Sequence, residues 1–149
     1  MSSSLSSPYN FIGKIVKSLE KYFDAQEGTI KVKSRPVLII GFERNYNSIR
    51  DIDFELLPFT TLNNQTPDMT YDYYIGDKLC VKLGLSHPCY LRTHKVSWNH
   101  VKHMDIISPI GDMLKVDPEL FNEIIRLNKQ WVAERIENIM QFTQVEKSG

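Results

Sequence analysis

Apolar and polar positions alternate along this chain with periods that change from segment to segment. Residues 1–6 are polar, carry no pattern and read as a leader without fixed structure. Ser7-Pro8 is a cap followed by a first-turn proline. Phe11, Ile12, Ile15, Val16, Leu19, Tyr22 and Phe23 then recur at helical spacing, which predicts an amphipathic helix to about Asp24 within an N-terminal extension of residues 7–27. Gly28 closes it. Thr29 to Val32 alternates as a half-buried strand does, Lys33-Ser34 reads as a very short turn, and Val37 to Ile40 is an unbroken apolar run stopped by Gly41. That run is too short for an ordinary helix and predicts a strand buried on both faces.

A second strand is predicted from Ile52 to Phe59, with Pro58 marking an edge or a bulge because proline cannot donate to a ladder. Residues 62–76 have no period and read as a long loop, which Tyr71, Tyr73 and Tyr74 would anchor. Leu79 to Leu83 alternates as a short strand ended by Gly84, and Cys89 to Val96 as another. A helical turn is expected around Val101 and Met104, and a chain reversal at Pro109-Ile110-Gly111. Asp117-Pro118 repeats the cap-then-proline start, and the apolar positions from Leu120 to Met140 predict a long C-terminal helix, with residues 143–149 as a frayed tail.

Composition narrows the class. With 149 residues, 42% of them apolar, the chain suffices for one domain with its own core. No apolar run approaches the length of a membrane span, and the serine-rich start lacks the basic and apolar segments of a secretion signal, so a cytoplasmic site is expected. Cys80 and Cys89 are too few for a disulfide framework and lack zinc-site spacing; they are expected reduced and buried. Eighteen basic and eighteen acidic side chains cancel, which argues against broad attraction to nucleic acid. Any polyanion site is therefore local.

Two stretches offer such a site. Arg35 precedes Pro36, which pushes it onto extended backbone and presents its guanidinium as a donor fork for carboxylate or phosphate; a strand-end arginine in a surface ion pair fits the same residues. Ser86 to Met104 holds Arg92, Lys95, Lys102 and all four histidines, with no carboxylate. Only His100 and His103 have helical pairing there, too few for a metal site. Thr60 and Thr61 close the strand that carries Pro58 and present hydroxyls at its rim.

The order of these signals resembles the MazF/PemK family of toxin endoribonucleases. The resemblance covers roughly Gly28 to Ile139 and rests on Gly28-Thr29-Ile30, Arg35-Pro36-Val37-Leu38-Ile39, Pro58-Phe59-Thr60, the stretch from Leu85 to Val96, and a closing Ile110-Gly111 before the last helix. It implies an α+β chain, a small SH3-like, MazF-type β-barrel with its C-terminal helix over residues 28–142, to which the predicted N-terminal helix is extra. It further implies a homodimer, metal-independent cleavage of single-stranded RNA without a cofactor, and neutralisation by a cognate antitoxin. Matched by motif, Arg35 and Thr60 are the catalytic pair, and Thr61, Arg92, Thr93, His94 and Lys95 contact RNA. The sequence departs from the family in its first loop, cut to Lys33-Ser34, and in Cys89, which stands where a serine is frequent. A non-catalytic SH3-like module for RNA or a peptide, and a phosphate-handling regulatory protein, are the competing classes.

Overall fold

A computed structural model describes residues 7–148; the polar leader and Gly149 lie outside the described residues. The chain runs β1 (Lys14–Asp24), β2 (Thr29–Phe42), β3 (Asp53–Thr60), β4 (Asp72–Ile75), α1 (Asp77–Lys82), β5 (Cys89–Arg92), β6 (Ser97–His100), β7 (Gly111–Asp112), α2 (Met113–Val116) and α3 (Pro118–Ser148), with 3₁₀ turns at Pro8–Phe11 and Val101–His103. The strands form one antiparallel curled sheet in the order β4-β5-β3-β2-β1-β7, and β6 pairs with the first half of β3. This is an α+β fold.

The curl separates two cores. Val16, Val37, Ile39, Phe54, Leu56, Val101 and Met104 fill one side, and an isolated bridge between Ser18 and Met104 brings the segment following β6 back to β1. On the other side Ile15, Leu38, Leu57, Phe59 and Leu91 pack under α1, α2 and the first half of α3 through Cys80, Leu83, Met113, Phe121 and Ile124. Val37, Leu38 and Ile39 are fully buried because they alternate between the two cores, as an unbroken apolar strand must.

The expected N-terminal helix of residues 7–27 is not formed. Pro8 opens only a single 3₁₀ turn, Gly13 at φ +88° breaks the helical direction, and Lys14–Asp24 continues as a strand paired residue for residue with β2. Nor is there a turn at Lys33-Ser34: β2 is one strand of 14 residues, passing Gly41 by a bulge between Ile39 and Gly41. The last two-thirds of β1 and the first half of β2 thereby make a hairpin arm. Leu19, Phe23, Ile30 and Val32 lie on one face of the arm, by register, and are exposed.

Two further corrections concern residues 62–83. The supposed long loop contains β4, and the supposed strand Leu79–Leu83 is helix α1, with Val81 in solvent. Helix α1 ends in a Schellman motif: Leu85 N–H donates to Cys80 O (3.0 Å), Gly84 N–H to Val81 O (3.1 Å), and Gly84 sits at φ +79°. α3 starts where Asp117-Pro118 predicts, Asp117 Oδ1 accepting from Leu120 N–H at 3.1 Å. It runs on to Ser148, through the stretch expected to fray. No helix of the described residues is long and apolar enough to cross a membrane.

Candidate active site

The β2–β3 ladder stops at Val37 and Pro58. Pro36 and Pro58 both lack an N–H, so the two strands have nothing further to exchange there, and β3 turns to pair Phe59 and Thr60 with Leu91 and Tyr90 of β5. The strands splay and a cavity of about 630 Å³ opens between them. Arg35 lies two residues beyond Val37 and Thr60 two beyond Pro58, so alternation leaves both on the face of the last paired residues; both line the cavity.

Four other elements complete its wall. Lys17 comes from β1, Lys33 and Ser34 from the arm, Thr61 and Asn63 from the turn after β3, and Ser86-His87 from the segment that the Schellman turn at Gly84 sends back toward β5. A Cβ on Gly84 would overlap the carbonyl of Ile110, and one on Gly111 that of Leu83, so only glycines allow these two segments to meet at the cavity edge. Phe59, Leu85 and Cys89 supply its buried apolar part.

The lining holds Lys17, Lys33, Arg35 and His87 and no carboxylate. Arg35 Nε is buried and has no hydrogen-bond partner. A buried donor without an acceptor costs about 1–3 kcal/mol. Thr60 Oγ1 accepts from Leu62 N–H at 3.2 Å, which leaves its own proton free to donate, whereas Thr61 Oγ1 donates to Asn63 Oδ1 at 3.1 Å. The Cys89 thiol, pushed up to about 11 by burial, stays protonated and neutral. Both cysteines are free and buried.

Arg92, Thr93, His94 and Lys95 lie elsewhere. Arg92 Nε donates to Asp72 Oδ1 at 2.9 Å, Thr93 is fully buried with its hydroxyl donating to Tyr71 O at 2.7 Å, and Asn128 of α3 donates to Thr93 O at 2.9 Å. The His94 ring packs against Tyr71 and Trp131, its side chain 8% exposed, and burial holds it below the usual histidine range. Lys95 is exposed. These residues dock α3 on the sheet, and none lines the cavity.

Part of the basic stretch of residues 86–104 meets carboxylates from outside it: Asp72 faces Arg92 and His94, and Asp51 Oδ1 stands 2.9 Å from His100 Nε2. Cations also gather at the cavity, through Lys17 and Lys33, which sequence reasoning had placed on a helix face and in a turn. The alternation of Lys31, Lys33 and Arg35 through one strand was the available signal. Among the described residues no three His, Cys, Asp or Glu side chains group as a metal site would require.

Compared with models of known protein families, with curated proteins and with solved structures, the chain matches none.

Proposed function

We propose that this chain is a toxin-type endoribonuclease of the MazF kind, cutting single-stranded RNA in the cytoplasm by metal-independent transesterification at the Arg35–Thr60 cavity. The observation that carries the reading is Arg35, an arginine whose buried Nε has no hydrogen-bond partner, lining a cavity with further cations and no carboxylate. A phosphodiester supplies the missing anionic oxygen. A ribose 2′-hydroxyl held beside its own phosphate needs alignment and charge stabilisation more than an external nucleophile. In this reading Arg35 and the free Thr60 proton meet the non-bridging oxygens as negative charge grows on them, and Lys17 and Lys33 hold the flanking phosphates.

The SH3-like identity of the barrel belongs to the same proposal. It is supported by the curl of β1, β2, β3 and β6 around one core and the return to β1 at Ser18–Met104. A cognate antitoxin that covers the cavity, and a homodimer, complete it. The alternative, a non-catalytic module binding a peptide, is favoured by one observation, the exposed apolar face of the arm.

Cleavage of a labelled single-stranded RNA by wild type and by Arg35→Ala decides between them. Loss of one charge-stabilising donor lowers such rates by about 10²–10³-fold. An alanine variant that cuts at the wild-type rate contradicts the assignment, as does a wild type that does not cut.

A further inference from the structure

Transesterification forms the O2′–P bond and breaks the P–O5′ bond. The 2′-hydroxyl must lose its proton as the first bond forms, and the departing 5′-oxygen must gain one. Arg35 and Thr60 meet neither demand well: a guanidinium is a cation at neutral pH without a free lone pair, and a threonine hydroxyl is a weak base.

The same test can be put to each side chain around the cavity. Lys17 from β1 and Lys33 from β2 are ammonium groups, donors only. Thr61 Oγ1 gives its proton to Asn63 Oδ1, and no carboxylate lines the space. Cys89, from β5, holds its proton because burial and the neighbouring Cys80 push the thiol up to about 11. The Ser34 and Ser86 hydroxyls are bases as weak as that of Thr60, and His87 is what remains. It is exposed, it comes from the segment between the Schellman turn and β5, and its Nδ1 lies 2.8 Å from Ser86 Oγ. With Nδ1–H donated to that hydroxyl oxygen, Nε2 carries the free lone pair. Imidazole is also the side chain whose ordinary titration falls near neutrality.

We propose that His87 is the proton acceptor of the cleavage step, oriented by Ser86; the assignment rests on the ribonuclease reading of the cavity. His87 Nε2 takes the 2′-hydroxyl proton as O2′ closes on phosphorus. The 5′-oxygen leaves with the P–O5′ electron pair and takes a proton from solvent, and the imidazolium returns its own proton to solvent. Lys17, Lys33 and Arg35, which line the same cavity, serve the phosphate.

The test uses the full chain, an RNA oligonucleotide with one scissile ribonucleotide at the mapped cleavage bond, and its all-deoxy counterpart as a non-cleavable ligand. For wild type, kcat/KM rises with pH through the histidine range. His87→Gln loses that limb and about 10²–10⁴-fold in rate, binds the all-deoxy strand within about threefold of wild type, and leaves the melting temperature unchanged. Added imidazole restores part of the rate of His87→Ala in proportion to its free-base form. A Gln variant that keeps the limb, or loses affinity as much as rate, overturns the assignment and leaves the ribonuclease reading standing. Failure of imidazole to restore any rate also overturns it. Absence of cleavage by wild type overturns the ribonuclease reading and this assignment with it.

Discussion

At the scale of single residues, the two arginines singled out by the sequence have opposite fates because one finds a carboxylate and the other does not. Arg92 is tied to Asp72, whose side chain is fully buried and also accepts from Asp68 N–H at 2.7 Å. Arg35 keeps a buried N–H without an acceptor. Arg35 and Thr60 could be chosen from the sequence because Pro36 and Pro58 mark where the ladder fails. Lys17 and His87 could not, since only the folded register brings β1 and the segment before β5 to the same opening. His94 also yields a pH prediction. Burial lowers its pKa in the folded chain, with Asp72 opposing that effect, so the unfolded chain protonates first as pH falls. Its contribution to stability is present above the ordinary histidine pKa of about 6.5 and is lost as pH falls through the folded value. Thermal melts from pH 7.5 to 5 should show a decline that is smaller in His94→Phe; equal declines would contradict this.

At the scale of elements, β3 and α3 were legible because alternation or a cap-then-proline start identifies each without reference to its neighbours, whereas the strand expected over Cys89–Val96 stops at Arg92, where Thr93 and His94 turn. β1 was not. Its apolar positions, Ile15, Val16, Leu19 and Phe23, fit helical spacing, yet Ile15 and Val16 point to different cores and Leu19 and Phe23 to the open face of the arm. Gly13, at φ +88°, is the local sign that separates the two readings. Helix α1 hid behind the alternation of Leu79, Val81 and Leu83, while its ends were written in Gly76-Asp77 and in Lys82-Leu83-Gly84. Gly84 matters twice, in the positive φ that ends α1 and in the close approach to Ile110. Gly84→Ala should destabilise the protein by more than about 1 kcal/mol. Urea unfolding gives the number, and an unchanged midpoint would contradict the argument.

At the scale of the whole molecule, zero formal charge conceals an uneven distribution. Carboxylates from β4 and from the loop before β3 meet Arg92 and His100 of the basic stretch at residues 86–104, while Lys17, Lys33 and Arg35 gather around a cavity without a carboxylate. Apolar surface is uneven as well. Leu19, Phe23, Ile30 and Val32 on the arm and Ile136, Ile139, Met140 and Phe142 on the far half of α3 are exposed, and a two-stranded hairpin or a lone half-helix is marginal by itself in water. The proposed homodimer would cover these rows; light scattering at micromolar concentration should then give about twice the 17.3 kDa of one chain, and a mass of one chain would contradict it. The central claim is that the cavity cuts RNA with its own side chains. Its most direct test is incubation of the purified protein with an end-labelled single-stranded RNA and with the same sequence in DNA, each with and without excess chelator. The account predicts cleavage of the RNA alone, at equal rates with and without chelator, leaving a 2′,3′-cyclic phosphate end. Intact RNA, cleavage that chelator abolishes, or cleavage of the DNA strand would contradict it.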